Sequence, residues 1–274
     1  MKRVIILAYF CLILSSQSIG QDGEKLFLRV KYSVTGKEYL EENKRLYNDL
    51  FNLDIGQNCS MFYSFIQYNR DSVEHELKKQ GFVGLQVKET LNERGYGQGR
   101  KDILITDNQK EQYKFFSIIG VMHYKAAEPI ENIKWIITAD TTTISNYKCF
   151  KAKSTFKGRE WIAWFTRDIP VSSGPWKLFG LPGLILRAND SFNHYIFELA
   201  SISKIEKVID MSLFEMYKEI SKDEFNNLMI KSKTDPIDFL MNQTGRSMGQ
   251  GYDRDGKPIP RSKFQNLKYN PIER

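Results

Sequence analysis

Between Leu26 and Val34 every second residue is apolar: Leu26, Leu28, Val30, Tyr32 and Val34 alternate with mostly polar neighbours. A period of two places one side of an extended segment in a core and the other outside, so this stretch reads as a strand, closed by Gly36. Leu46 to Ile55 and Met61 to Ile66 read as two more strands, with Gly56-Gln57-Asn58 as turn chemistry between them. From Tyr113 to Ile202 the pattern is a β-meander, with strands expected over 113–124, 134–140, 143–156, 160–166, 183–188 and 194–202. Lys157-Gly158-Arg159 supplies one hairpin turn and Ala188 to Ser191 another. Sequential antiparallel strands with short turns bury an apolar face only if the sheet curves or closes. Trp161, Ala163 and Phe165 point one way while Ile162 and Trp164 point the other, so an element must cover that sheet.

Helical signals are fewer. Asp71 to Gly81 reads as a short helix, with Asp71 as cap, lysines in the last turn and Gly81 closing it. Ser221 and Glu224 form a capping box, and Phe225, Leu228 and Met229 make one apolar stripe behind it. Pro236 ends that helix. Residues 92–101 are glycine-rich and read as a loop. The expected fold is therefore mainly β, α+β at its margin: an antiparallel meander in a strongly curved sheet or unclosed barrel, carrying one main C-terminal helix and one short helix. The expected organisation is a leader over 1–20, a β-rich domain over 21–241, and a polar Gly/Pro/Lys/Arg-rich tail over 242–274, laid on the surface or partly disordered.

The first twenty residues bear on compartment. Lys2 and Arg3 precede an apolar run from Val4 to Leu14, and Ser18 and Gly20 stand at −3 and −1 of a cut before Gln21. This is the pattern of a cleaved secretory leader. As a helix the run reaches only ~17 Å, against roughly 30 Å of hydrocarbon core. No later stretch is long and apolar enough to span as a helix. Removing the leader leaves Cys59 and Cys149, either bridged in an oxidising compartment or two small buried residues that never meet. The net charge of +7 arises from 40 basic and 33 acidic residues that are interleaved, without a long basic run, so nucleic acid is not an expected partner.

Phe179 to Ile185 is the most unusual segment: Gly180 and Gly183 bracket Leu181-Pro182 inside an apolar run. The physical reading is a tight turn delivering Leu184 and Ile185 into a core strand; the sharper reading is a ligand-facing loop. Upstream, Trp176 beside Gly174-Pro175 either plugs the core or caps an apolar opening. Cys149-x-Lys151-Ala152, Gly158-Arg159, Trp164-Phe165, Ile169-Pro170, Gly174-Pro175 and Gly180-Leu181-Pro182-Gly183-Leu184-Ile185 together resemble the GLPGLI family of exported proteins from Gram-negative envelopes. Ser60 to Tyr63, Trp135, Ile144 to Cys149 and Tyr269 to Glu273 resemble its flanking segments. The resemblance implies export and an all-β core. It transfers no catalytic set, so these residues are family markers only.

Among them Arg159 is a buried ion-pair partner, a carboxylate clamp for a ligand, or a solvated turn arginine beside Gly158, and Arg159 and Trp176 are the candidate ligand contacts. His75, His123 and His194 are scattered, with no metal-ligand spacing, and neither a metal nor a cofactor is expected. Cys149 sits mid-strand by pattern, where cysteine is usually a small core residue. Ser172-Ser173-Gly174 lacks the glycine-flanked elbow of a hydrolase serine. The leading reading is non-enzymatic: a periplasmic or envelope-associated accessory protein for apolar or envelope-derived ligands, with an outer-membrane transport partner as a further expectation. The alternative is an envelope hydrolase with Arg159, Asp168 and Glu198 converging in a cleft. A transmembrane β-barrel fits poorly with the capping box and with charges on both faces of several strands.

Overall fold

The computed structural model describes residues 24–41, 46–253 and 255–273; the expected leader lies outside the described residues. Twelve strands among them form one sheet, unclosed and mostly antiparallel, in agreement with the fold class expected from the pattern. In chain order they are β1 (Lys25–Gly36), β2 (Tyr47–Gly56), β3 (Cys59–Ser64), β4 (Ile103–Asp107), β5 (Gln112–Ile119), β6 (Met122–Pro129), β7 (Ile136–Ile144), β8 (Tyr147–Phe156), β9 (Arg159–Thr166), β10 (Leu184–Asp190), β11 (Tyr195–Val208) and β12 (Lys218–Glu219). Their spatial order is β12-β6-β5-β4-β3-β2-β1-β11-β10-β9-β8-β7. One meander therefore runs outward from β1 to β6. The chain then crosses to the far edge, and a second meander returns from β7 to β11, which pairs with the other side of β1. The short β12 adds to β6 in parallel.

Four helices accompany the sheet rather than the two expected: α1 (Phe65–Lys79), α2 (Leu85–Glu93), α3 (Lys222–Thr234) and α4 (Pro236–Thr244). α1 starts six residues before the expected Asp71. Ser64 ends β3 and caps the helix, its Oγ accepting from the Gln67 N–H at 3.0 Å. The apolar run Met61 to Ile66 concealed this boundary. The single strand expected over 113–124 is a hairpin that turns at Gly120, where φ is +66°. Pro236 ends α3 but also opens α4, the first-turn position that proline tolerates. The second expected turn lies later. β10 continues through Asp190, and the chain reverses at Asn193, whose φ is +53°.

The register assigns the faces. Val34, Phe51, Phe62, Leu104, Phe115 and Phe197 share one face, since Val34 opposes Phe197, Phe62 opposes Leu104, and Leu104 opposes Phe115. Met61, Tyr63, Ile105 and Phe116 share the opposite face, where Phe214 and Tyr217 cover them. On the first face lie α3, the connection from Arg167 to Gly183, and the last residues of the chain.

That connection lies directly on β8–β10. Ala152, Ala163 and Ala188 stand side by side across these three strands, and each is fully buried. Small side chains in a row let the covering segment approach the sheet, and Leu178 and Leu181 fill the space above. Gly183 has no alternative here. Its φ is +147°, and an added Cβ would fall 1.9 Å from the Thr166 carbonyl oxygen. Leu184, Ile185 and Leu186 are fully buried, and the Tyr32 hydroxyl donates to the Ile185 carbonyl at 2.6 Å.

Candidate ligand-binding cavity

Away from the alanine row the same face is studded with rings, and α3, packed on β5 and β6 through Phe225, leaves space over the neighbouring strands. The result is a cavity of about 550 Å³. Phe51, Phe62, Leu104 and Phe115 form its sheet side; Phe225, Met229 and Ile230 of α3 form its cover; Trp176 and Ile272 wall one side. The volume lies within the roughly 300–1,000 Å³ of ordinary ligand sites, and the lining is mostly apolar with a few polar groups, as such sites are.

Its polar groups fall at two ends. At one, Tyr47 and Arg100 meet Asp102. The Arg100 guanidinium binds Glu38 and Asp102, each at 2.7 Å, and lies 5.2 Å from the Tyr47 ring centre. Burial would lower the Arg100 pKa, but Asp102, Tyr47 and Glu38 reverse this and raise it. Burial likewise would raise Asp102, yet Arg100 and the Ser117 hydroxyl hold it below the ordinary range. Burial pushes the Tyr47 phenol up to about 12. Tyr47 reaches this place because Gly36 opposes it: a Cβ at Gly36 would lie 2.0 Å from its ring.

At the other end, the Lys177 side chain is fully buried between Glu128 and Glu273, the latter at 2.5 Å. A buried ammonium is tolerable only with such partners. Lys157 binds Glu131 and lies 3.7 Å from Glu128. Lys222, the first residue of α3, holds its Nζ 3.7 Å over the Phe115 ring and 4.0 Å from both Glu128 and Glu273. Burial, the largest influence, lowers its pKa. Neither Lys177 nor Glu128 stood out in the sequence. The available signal was that Lys177 is the single charged residue between Gly174 and Ile185.

Trp176 lies in the wall of the cavity. Its backbone has φ +55°, a conformation disfavoured by ~1–2 kcal/mol for a non-glycine residue. Packing of its ring against Trp161 and Phe156, with centroids 5.6 and 5.8 Å away, holds it there.

Arg159 does not line the cavity. It is buried beside Tyr195 and donates to Asp190 at 2.7 Å. It also donates to the Asn270 side chain at 2.8 Å and to the carbonyls of Pro271 and Ile272 at 2.5 and 2.9 Å. The carboxylate it holds is internal. Asp190 in turn accepts from the Tyr195 N–H at 2.8 Å, and the Tyr195 hydroxyl donates to the Asn270 carbonyl at 2.5 Å. Residues 270–273, part of the tail expected on the surface, are thus bound into the body.

The residues of the expected hydrolase cleft are not brought together. Arg159 begins β9, whereas Asp168 lies exposed beyond its far end, about 30 Å along an extended chain. Glu198 is exposed on β11 and faces Arg187 at 3.5 Å. Gly180 is exposed beside Trp135 and Ile185 is buried in the packed core, and neither lines the cavity. Lys151 forms an exposed pair with Asp140 at 3.0 Å and lies over the half-buried Trp164; Gly158 turns the β8–β9 hairpin at φ +72°; Pro170, Gly174 and Pro175 belong to the covering connection. Cys59 and Cys149 are free and buried in different clusters. Burial pushes the Cys59 thiol up to about 12 and raises Cys149, so both are poor nucleophiles. His75, His123 and His194 lie on α1, on β6 and in the turn before β11. Among the described residues no helix is long and apolar enough to cross a membrane.

Residues 153–187 match the model of a family described as a protein of unknown function, Porph_ging. That stretch carries Arg159, Trp176, Lys177 and the Gly180–Ile185 turn. No curated protein matches the chain. Among solved structures it is similar to PNGF-II in two crystal forms. The TM-scores are 0.53 and 0.52, at 16% and 15% identity, over 76% of this chain and 34% and 33% of that one. This chain thus spans about a third of the length of those structures, and the likeness is one of fold. A LolA superfamily protein, NE2245 from Nitrosomonas europaea, aligns over 69% of this chain and 89% of its own at 5% identity, with a TM-score of 0.27.

Proposed function

We propose that this chain is an exported binding or accessory protein of a Gram-negative envelope, of the GLPGLI type, which holds an apolar or envelope-derived ligand beneath α3. The observation that carries this reading is the ring-lined cavity of about 550 Å³. A sheet face built to be filled would bring its cover down, as the alanine row does; this one keeps Phe51, Phe62, Leu104 and Phe115 around open space. The leader pattern at Lys2 to Gly20 and the resemblance over 144–186 support export. Delivery to an outer-membrane transport partner is consistent with such a role. The markers from Cys149 to Ile185 serve to position the wall that bears Trp176.

Mature protein extracted under native conditions is expected to carry lipid detectable by mass spectrometry, or to take up an apolar fluorescent probe after delipidation. Met229→Trp, which fills the cavity from α3, is expected to weaken probe uptake at least about tenfold while the melting transition stays cooperative. A chain that neither carries lipid nor binds any apolar probe ends this reading.

A further inference from the structure

The two ends of the cavity differ in how their cations are paired. Arg100 is closed by two carboxylates at 2.7 Å. Lys177 engages Glu128 and Glu273, and Lys157 has Glu131. Lys222 is left with contacts of 4.0 Å to Glu128 and Glu273, carboxylates that Lys177 already holds. Of its three donors, one goes to Asn226 Oδ1 at 3.0 Å, its single hydrogen bond among the described residues. Its ammonium lines the cavity at the point where the apolar floor begins, over Phe115.

Resting on the reading of the cavity as a ligand site, we infer that its occupant is a single-chain anionic amphiphile, whose carboxylate-type head lies on Lys222 while the apolar chain runs past Phe115 towards Phe62. A head of this charge completes the pairing that the protein leaves loose. A charge-assisted hydrogen bond in a largely desolvated site is stronger than a neutral one. The burial that lowers the Lys222 pKa is offset by the same anion. An apolar ligand without a head leaves this ammonium as it stands, and a cationic head meets it with like charge.

The test compares dansylated undecanoate with its methyl ester, two probes of nearly equal size that differ in charge, on delipidated mature protein. The acid is expected to bind about tenfold more tightly than the ester. Lys222→Gln is expected to abolish that preference by weakening acid binding about tenfold, and Lys222→Arg to keep it. The melting curve of each variant reports that it is folded. If the ester binds as tightly as the acid, or Lys222→Gln leaves the preference intact, the inference on the head group is overturned while the apolar cavity stands. If neither probe binds, the cavity reading fails, and this inference with it.

Discussion

The two halves of the covered face belong to one sheet and are packed in opposite ways. Over β8–β10 the row Ala152, Ala163 and Ala188 lets the Arg167–Gly183 connection lie on the strands, and the region around Phe165, Leu184 and Ile185 is fully buried. Over β2–β5 the corresponding positions are Phe51, Phe62, Leu104 and Phe115, and α3 spans them with space beneath. Side-chain volume on the sheet thus decides the height of the cover. A low cover gives a packed core; a high one gives a cavity. The charges follow the same division. In the packed half Arg159 and Asp190 are sealed and fasten the chain end, whereas Arg100 and Lys222 line the cavity.

The contrast breaks most easily at Arg159. Arg159→Leu strands Asp190, whose side chain is 1% exposed, and is expected to cost about 3–5 kcal/mol in a urea melt and to free residues after Tyr269 for proteolysis. A loss under 1 kcal/mol refutes the sealed clamp. Next, Phe165→Ala should cost about 3–5 kcal/mol, because the ring is fully enclosed. Phe115→Ala, on the cavity floor, should cost clearly less, since part of its ring already faces space. Equal losses would mean that the two halves are packed alike. Adding volume sharpens the comparison from the other side. Ala163→Leu overpacks the alanine row and should cost about 1–3 kcal/mol, while Met229→Trp should stay within about 1 kcal/mol of the parent.

Smaller effects test the cover and its rim. Ser221→Ala removes the cap whose Oγ accepts from the Glu224 N–H at 3.1 Å, and should cost about 1 kcal/mol. At the Arg100 end, burial would raise Glu38, but Arg100 and Lys233 outweigh it and lower its pKa from the ordinary 4.5. Asp102 is lowered from 3.8. A carboxylate with a depressed native pKa contributes stability that is complete above its unfolded value and lost as pH falls through the native one. Acid melts should therefore show declining stability below about pH 4.5, a slope that Glu38→Gln reduces.

Much of the scaffold was legible because it is written in short-range patterns. Alternation from Leu26 to Val34 marks β1, Lys157-Gly158 marks the tight turn of the β8–β9 hairpin, and Ser221 with Glu224 marks the start of α3. Where two local signals overlapped, the boundary was hidden: Ser64 reads as part of an apolar strand until its hydroxyl is seen capping α1. Arg159 reads equally well from its neighbours as a partnered or a solvated turn arginine, because its partners Asp190 and Asn270 lie 31 and 111 residues away.

What the sequence determined by itself is period: which residues share a face, and where the chain turns, since these depend on neighbours two to four positions away. Only the tertiary structure decided that β1 joins two meanders, that alanines align across three strands while large apolar side chains stand across four others, and that Lys177 meets both Glu128 and Glu273. These are contacts between distant segments; Arg159 and Asn270 stand 111 residues apart. No local preference records them, because their energy exists only once the intervening chain has closed into one sheet.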